Sequence, residues 1–107
     1  MGVQELHDEN FENILNENEK VIVKYYADWC GSCKLFAPKF KRLSNDERFS
    51  TILFTEVNAE KNPASRKKAG VDNLPFIATF YKGNLISAQC TSKEERVLEM
   101  LNDLLSI

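Results

Sequence analysis

The sequence has few cysteines and no long apolar segment. Its 107 residues include three cysteines, an odd number that does not suit the paired disulfide framework of a small secreted domain. No apolar stretch approaches the roughly 20 residues needed to cross a bilayer, and residues 1–6 are polar and acidic, unlike a secretory signal. We therefore expect a cytoplasmic protein without a membrane partner.

An excess of either charge is also lacking. The 14 basic and 16 acidic residues give a net charge of −2, so we expect no nucleic-acid partner. A zinc site needs a full set of nitrogen or sulfur ligands. Beyond Cys30 and Cys33, the chain offers only Cys90 and the single histidine, His7. We therefore expect no metal and no bound cofactor.

Glycine and proline are scarce, with four and three residues, and no linker or low-complexity run interrupts the chain. The length suits one hydrophobic core, so we expect a single domain over residues 1–107. The apolar periodicity predicts the order β-α-β-α-β-α-β-β-α. Predicted strands cover residues 3–6, 21–26, 52–57, 76–81 and 85–89, the last two joined as a hairpin by residues 82–84. This order indicates an α/β fold, a mixed sheet with helices on both faces.

Two helix starts are predicted from capping residues. Asp8 is expected to cap the first helix, which carries Phe11, Ile14 and Leu15 on one stripe. Asn62 followed by Pro63 is expected to open a short basic helix that ends at Gly70.

The two longer helices are predicted from apolar stripes. The helix over residues 32–43 contains Pro38, which should kink it. Its side chains expected to face the core are Leu35, Phe36, Phe40 and Leu43. Ser92 and Glu95 predict a capping box at the start of the last helix. The apolar face expected there consists of Val97, Leu98, Leu101, Leu104 and Leu105.

The most informative segment places Cys30 and Cys33 at a predicted strand-to-helix junction. The first turn of a helix offers unpaired N–H groups and the positive end of the helix dipole, which favour a thiolate over a thiol. A second thiol one turn later can attack a mixed disulfide formed by the first. The spacing therefore predicts dithiol–disulfide exchange, and the alternative is two ordinary buried cysteines.

With these residues in place, the chain resembles the thioredoxin family over nearly its whole length. The residues that carry the resemblance follow one another in order: Ala27, residues 29–34, Ala37, Pro38, Asn58, Asn62, Pro63, Leu74, Pro75, Phe80 and Gly83. The resemblance implies the thioredoxin fold and a redox-active Cys30–Cys33 disulfide. It implies that Cys30 is a partly exposed nucleophile, that Cys33 is a more buried resolving thiol, and that Pro75 is cis and faces them.

The resemblance also implies a shallow rim that binds extended substrate segments. Its expected members are Trp29, Gly31, Ser32, Ala59, Asn73, Leu74, Pro75, Cys90 and Thr91. Ser32 stands where the commonest thioredoxin has proline, and its hydroxyl and N–H can stabilise a thiolate. We therefore expect a more oxidising couple than the proline form. Cys90 has two interpretations, a small buried hydrophobe or an accessible thiol near the rim.

One pair of residues departs from the family pattern. The family usually has an aspartate six residues before the first cysteine, where this chain has Lys24, and a lysine on the next strand, where this chain has Glu56. We interpret these as an exchanged ion pair, because a lone buried lysine is costly. The hypothesis is that Glu56 handles the proton of Cys33 and that Lys24 keeps Glu56 ionised. The alternative is two unrelated surface residues.

These expectations favour a protein-disulfide reductase that acts in electron transport and cell redox homeostasis. Its expected partners are disulfide-containing client proteins and an external reductase that serves as electron donor, and it is expected to act as a monomer. Two alternatives remain open. One is an oxidase or isomerase with a higher redox potential, and the other is a thioredoxin-like binding or adaptor module whose cysteines turn over little.

Overall fold

Five strands form one mixed sheet, and four helices cover its two faces. The structure is a computed structural model that describes residues 2–107. The strands are β1 (Gln4–Leu6), β2 (Lys20–Tyr26), β3 (Leu53–Asn58), β4 (Phe76–Tyr81) and β5 (Asn84–Cys90). The helices are α1 (Phe11–Glu17), α2 (Gly31–Ser44), α3 (Pro63–Ala69) and α4 (Glu94–Leu105), with a short 3-10 turn at Glu47–Phe49. The predicted order of elements is the one observed.

The sheet has the strand order β1-β3-β2-β4-β5. Strands β1, β3 and β2 run parallel, whereas β4 pairs antiparallel with β2 and β5 pairs antiparallel with β4. Strand β2 lies at the centre and is buried on both faces, which explains its nearly continuous apolar sequence. The carboxyl end of β2 leads through a short loop into α2, and this junction carries the cysteines.

Side chains alternate between the two sides of β2, and this alternation divides the core. Val21, Val23 and Tyr25 pack with Phe11 and Leu15 of α1 on one face. On the other face, Ile22 packs with side chains from α2 and α4, which include Phe36, Phe40, Val97, Met100 and Leu101. Lys24 has the same parity as Ile22, so the sequence places a charged residue on the face that α2 covers.

The stripe predicted for α2 is correct except at one position. Phe36, Phe40 and Leu43 are buried as predicted, whereas Leu35 is 78 % exposed. The prediction for Leu35 is wrong because this residue lies on the opposite side of the helix from Cys33 and well away from the stripe through Phe40. Pro38 lies inside the helix, as predicted.

Asp8 was predicted to cap α1, and this prediction is wrong because Asp8 contacts the start of α3 instead. Asn10 occupies the N-cap position of α1, and the Asp8 carboxylate instead accepts hydrogen bonds from the backbone N–H groups of Ala64 (3.2 Å) and Ser65 (2.8 Å) at the start of α3. Asn62 occupies the N-cap position of α3 as predicted but makes no side-chain cap bond. Its amide oxygen accepts from Asp8 N–H at 2.9 Å, which holds Asp8 over α3.

The last helix begins without the predicted capping box. Lys93, rather than Ser92, occupies the N-cap position of α4 and makes no side-chain cap bond. The hydroxyl of Thr91 accepts from Lys93 N–H at 3.1 Å and turns the chain before the helix. The apolar face is largely as expected, because Val97, Leu101 and Leu104 are buried, while Leu98 and Leu105 are partly buried against the same cluster.

The hairpin between β4 and β5 matches the prediction. Lys82 (φ 50°) and Gly83 (φ 83°) both adopt positive φ values, as a tight two-residue hairpin turn requires. Gly83 also lies close to α1, since a Cβ atom there would meet the Asn16 side-chain oxygen at 2.6 Å. Among residues 2–107, no helix is both long and apolar enough to cross a membrane.

Candidate active site

The two cysteines lie at the first turn of α2 and are joined by a disulfide. Cys30 is the N-cap residue, and its sulfur accepts a hydrogen bond from Cys33 N–H at 3.2 Å. The Cα atoms of the pair are 5.3 Å apart. Cys30 is 4 % exposed and Cys33 is 3 % exposed. The prediction of a partly exposed Cys30 is therefore wrong for this oxidised form, in which the pair packs with Ala27 and against Leu74.

The side chains of Ser32 and Trp29 lie beside Cys30. The Ser32 hydroxyl is 3.4 Å from the Cys30 sulfur, within hydrogen-bond range for this pair of atoms. Trp29 is 67 % exposed, and its indole N–H donates to a Glu60 carboxylate oxygen at 2.7 Å. Sequence reasoning did not single out Glu60, which lies in the turn after β3. The bond fixes the indole beside the cysteines while leaving the ring open to solvent.

The segment before β4 supplies the opposite wall of the site. The Leu74–Pro75 peptide bond is cis, as predicted, and Leu74 packs against the cluster that contains both cysteines. The carbonyl of Pro75 accepts from Thr91 N–H at 3.1 Å. The side-chain oxygen of Asn73 accepts a hydrogen bond from Leu74 N–H at 2.9 Å. These bonds hold the proline segment in place beside the disulfide.

The structure sorts the predicted rim residues by exposure. Those exposed to solvent are Trp29, Gly31, Ser32, Asn73 and Cys90, while Leu74 and Thr91 are half-buried. Pro75 is buried. Ala59 is also buried and belongs to the core cluster on the α1 face, so the expectation that its side chain contributes to the rim is wrong. Its N–H donates to the carbonyl of Tyr26 at 2.8 Å, which turns the chain inward after β3.

The third cysteine is a free, exposed thiol. Cys90 ends β5 and pairs in register with Phe76, the residue after Pro75. The interpretation of Cys90 as a buried hydrophobe is therefore wrong, and its place near the proline segment matches the alternative of an accessible thiol.

The predicted ion pair between Lys24 and Glu56 is present. The two residues are register partners on β2 and β3, and the Lys24 ammonium lies 3.1 Å from a Glu56 carboxylate oxygen. The Lys24 side chain is 5 % exposed and that of Glu56 is 27 % exposed. The ammonium also lies 5.4 Å from the centre of the Phe40 ring. The reading of these two as unrelated surface residues is therefore wrong.

A second carboxyl group, not singled out by sequence reasoning, adjoins this pair. Glu5 on β1 is the register partner of Glu56 on its other side, and its carboxylate accepts a hydrogen bond from the Tyr26 hydroxyl at 2.7 Å. Burial, reinforced by the neighbouring Glu56 carboxylate, raises the pKa of Glu5 despite the Tyr26 bond. Burial likewise raises the pKa of Tyr26, and its bond to Glu5 adds to the shift. Glu5 shares one face of the first strand with Val3, and only the pairing of β1 with β3 places it beside Glu56.

A cleft behind the disulfide is lined both by Cys33 and by the Lys24–Glu56 ion pair. It has a volume of 440 Å³. Its lining includes Lys24, Tyr26, Ala27, Asp28, Cys33, Lys34, Ala37 and Glu56. The cleft opens to solvent, so water can reach both the Cys33 side and the Glu56 carboxylate. The geometry thus places Cys33 and the Glu56 carboxylate on the same cleft.

Comparison with known proteins defines the class. Residues 2–104 match the family model described as Thioredoxin. The chain therefore belongs to the thioredoxin family, whose members with a CxxC pair are thiol–disulfide oxidoreductases. A solved thioredoxin of Malassezia sympodialis superposes with a TM-score of 0.88 at 19 % identity, over 97 % of this chain and 94 % of that one. This likeness confirms the predicted thioredoxin fold.

Curated relatives of the chain include disulfide isomerases. Protein disulfide-isomerase 1 of Caenorhabditis elegans is 40 % identical over 80 residues, which is 73 % of this chain and 16 % of that protein. A probable protein disulfide-isomerase A6 of Medicago sativa is 35 % identical over 81 residues, 75 % of this chain and 22 % of that protein. The chain thus spans less than a quarter of the length of either relative.

Proposed function

We propose that this protein is a thiol–disulfide oxidoreductase whose main activity is the reduction of protein disulfides. The observation that carries the proposal is the position of Cys30 at the N-cap of α2, where its sulfur accepts the Cys33 N–H. In the reduced protein the same N–H and the helix dipole stabilise a Cys30 thiolate. Leu74 and cis Pro75 lie beside it, as a site for an extended substrate segment requires.

The proposed reaction proceeds in two exchange steps. The Cys30 thiolate attacks a substrate disulfide, so that one Cys30–substrate bond forms and the other substrate sulfur leaves as a thiolate, which takes a proton from solvent. The Cys33 thiol then loses its proton and attacks the Cys30 sulfur. The Cys30–Cys33 bond forms, the Cys30–substrate bond breaks, and the second substrate thiol is released. The substrate gains the two electrons that the cysteine pair loses.

Proton transfer in the second step is assigned to Glu56. The carboxylate and Cys33 line the same 440 Å³ cleft, and Lys24 at 3.1 Å holds the carboxylate in place. We propose that water in the cleft carries the Cys33 proton to Glu56. In this proposal Lys24, Glu56 and the cysteine pair carry out the exchange and the proton transfer. The surface proposed to contact substrate consists of Trp29, Gly31, Ser32, Asn73, Leu74, Cys90 and Thr91.

Insulin reduction tests the main proposal. The chain, supplied with a chemical dithiol as electron donor, should reduce the insulin disulfides and precipitate the B chain much faster than the donor alone. The Cys30→Ser variant should lose the acceleration, and the Glu17→Gln variant, changed on the exposed side of α1, should retain it. An unaccelerated reaction with the wild-type chain would instead favour the adaptor alternative.

An isomerase is the second candidate, because the curated relatives reported above carry that name. The Ser32 hydroxyl, 3.4 Å from the Cys30 sulfur, supports it, because stabilising the reduced thiolate makes a couple more oxidising. The redox potential separates the two candidates. A value near those of reducing thioredoxins supports the reductase, and a value near that of a disulfide isomerase supports the second candidate.

The partners follow from the direction of the reaction. For a reductase we propose disulfide-containing client proteins, an external reductase that recharges the cysteine pair, and a monomer acting in the cytoplasm. No bound cofactor is needed in this scheme, since the Cys30–Cys33 disulfide carries the electrons. An isomerase would instead act in an oxidising compartment, where disulfides persist.

A further inference from the structure

One row of charged side chains crosses three strands beneath α2. Glu5 on β1, Glu56 on β3 and Lys24 on β2 are successive register partners. Three such groups carry a net charge of −1 when all are ionised and are neutral when one carboxyl is protonated. The cost of placing two carboxylates side by side in a partly buried site favours a shared proton.

Glu56 has a charged neighbour on each side, Lys24 on β2 and Glu5 on β1. An ammonium at 3.1 Å stabilises the carboxylate, and a base that is strongly stabilised in its charged form takes up a thiol proton less readily. A second carboxyl next to it offsets this effect, because protonation of the pair relieves the repulsion. Glu5 is placed to do so, since it is the register partner of Glu56 on the neighbouring strand.

The orientation of Glu5 is fixed from outside the pair. The Tyr26 hydroxyl donates to its Oε2 atom at 2.7 Å, which leaves the other carboxylate oxygen free to meet Glu56. Tyr26 also lines the cleft that holds Cys33 and Glu56, whereas Glu5 does not. Glu5 can therefore influence the thiol only through a neighbour that lines the cleft, Glu56 or Tyr26, and of these two only Glu56 is a carboxylate.

We propose that Glu5 is a positioning residue of the redox site. The proton that Cys33 gives up is shared between Glu56 and Glu5, so that the ionised pair, rather than Glu56 alone, accepts it. The inference rests on the proposed role of Glu56. In the resolving step the Cys33 proton moves through water to the carboxyl pair, and the thiolate that remains attacks Cys30. The proton returns to solvent through the cleft after the substrate thiol has left.

The pH dependence of this step reflects every charged group around the pair. Those that face Glu5, Glu56 or the cleft are His7 beyond β1, Lys24 and Tyr26 on β2, and Asp28 and Lys34 at the mouth of the cleft. The raised pKa of Glu5 supports a pair that holds its proton to a higher pH than an isolated glutamate. The rate of resolution should therefore fall on acidification as the pair becomes protonated.

A stopped-flow experiment separates the two exchange steps. The reduced protein, in a Cys90→Ser background, is mixed with an aromatic disulfide reagent that releases one coloured thiolate per step. The first release depends on reagent concentration and reports attack by Cys30. The second is independent of reagent concentration and reports resolution by Cys33. Both are recorded across the pH range for Glu5→Gln, Glu5→Asp and Glu56→Gln, with Glu17→Gln on the exposed side of α1 as control.

The inference predicts a specific pattern. Glu5→Gln can still accept the Tyr26 hydrogen bond, and it should slow the second release roughly fivefold and move its acid limb to lower pH, while leaving the first release unchanged. Glu5→Asp should restore most of the rate. The double variant Glu5→Gln/Glu56→Gln should be no slower than Glu56→Gln, because Glu5 acts through Glu56.

Other outcomes overturn the inference. A wild-type profile for Glu5→Gln, or a slower second release with an unmoved acid limb, would leave Glu5 with a structural role at most. If Glu56→Gln also resolves at the wild-type rate, the assignment of proton transfer to Glu56 fails as well. Absence of any second release in the wild-type protein would reject the oxidoreductase function itself. Melting temperatures recorded on the same samples identify any variant that does not fold.

Discussion

Ser32 is the residue that bears most directly on the direction of the reaction. Its hydroxyl lies 3.4 Å from the Cys30 sulfur, and its backbone N–H belongs to the first turn of α2. Replacement by proline removes both groups. We expect Ser32→Pro to lower the redox potential by about 30 mV, which is about tenfold in the equilibrium with glutathione.

Equilibration of each variant with glutathione buffers, followed by trapping of free thiols, measures this change. Ser32→Ala removes only the hydroxyl and keeps the N–H, so it should fall between the wild type and Ser32→Pro. Equal potentials in all three proteins would show that the intervening residue does not set the direction.

The ion pair in the cleft makes an asymmetric prediction for stability. Glu56→Gln leaves the buried Lys24 without a counter-charge, and we expect it to lower the free energy of unfolding by about 1–3 kcal/mol. Lys24→Met leaves Glu56, which can reach water, and should cost about 1 kcal/mol or less. Urea denaturation at neutral pH gives both values, and a larger loss for Lys24→Met than for Glu56→Gln would contradict the burial argument.

The sequence could predict the pair but not its neighbour. Lys24 stood in an apolar strand, and a buried lysine requires a partner, so Glu56 on the adjacent strand could be found by its chemistry. Glu5 lies on a strand of three residues, and a glutamate there looks like any surface carboxylate. Only the β1–β3 register places Glu5 beside Glu56. The prediction that Ala59 belongs to the rim was wrong because a small residue carries no sequence signal of whether it faces the core or the solvent.

At the scale of elements, the start of α3 depends on a residue from a distant loop. The Ser65 hydroxyl donates to Asp8 at 2.6 Å, and together with the N–H groups of Ser65 and Ala64 it lowers the pKa of Asp8. Asp8→Ala should therefore lower the melting temperature by a few degrees, because the first turn of α3 loses its acceptor.

This contribution has a defined pH window. A carboxyl whose pKa is lower in the folded state than in the unfolded state stabilises the fold above the unfolded-state pKa, and the effect is lost as pH falls through the folded-state pKa. The melting temperatures of wild type and Asp8→Ala should thus converge in acid. Glu9→Gln, an exposed neighbour, serves as control and should show no such convergence. A constant gap down to strongly acidic pH would argue against the cap.

At this scale, the helices and strands themselves were easier to predict from the sequence than the residues that cap the helices. The strands and helices followed from periodic burial, which a sequence records directly. Capping depends on which side chain reaches a helix terminus in space. Asp8 precedes α1 in the chain but contacts α3, and no local pattern contains that information. The wrong prediction for Leu35 has a similar origin. Leu35 is apolar like the residues of the buried stripe, but its angular position on the helix points it away from the core.

At the scale of the whole molecule, one thiol remains outside the redox pair. Cys90 is exposed at the end of the edge strand β5, while Cys30 and Cys33 are joined. The native oxidised protein should therefore react rapidly with about one equivalent of a thiol reagent, and Cys90→Ser with none. After reduction of the active-site disulfide, each protein should gain about two further equivalents. A slow reaction of the native protein that requires denaturant would contradict the exposure of Cys90.

The short strand β1 ties together parts of the molecule that the sheet otherwise keeps apart. Glu5 meets the charged group beneath α2, Leu6 belongs to the core on the α1 face, and Asp8, in the turn that follows β1, holds the start of α3. Local opening of this one edge strand would break all three connections at once. Amide hydrogen exchange at β1 should therefore be coupled to exchange in the first turn of α3, and the opening rate of a peripheral strand would limit how long the redox site keeps its proton-handling geometry.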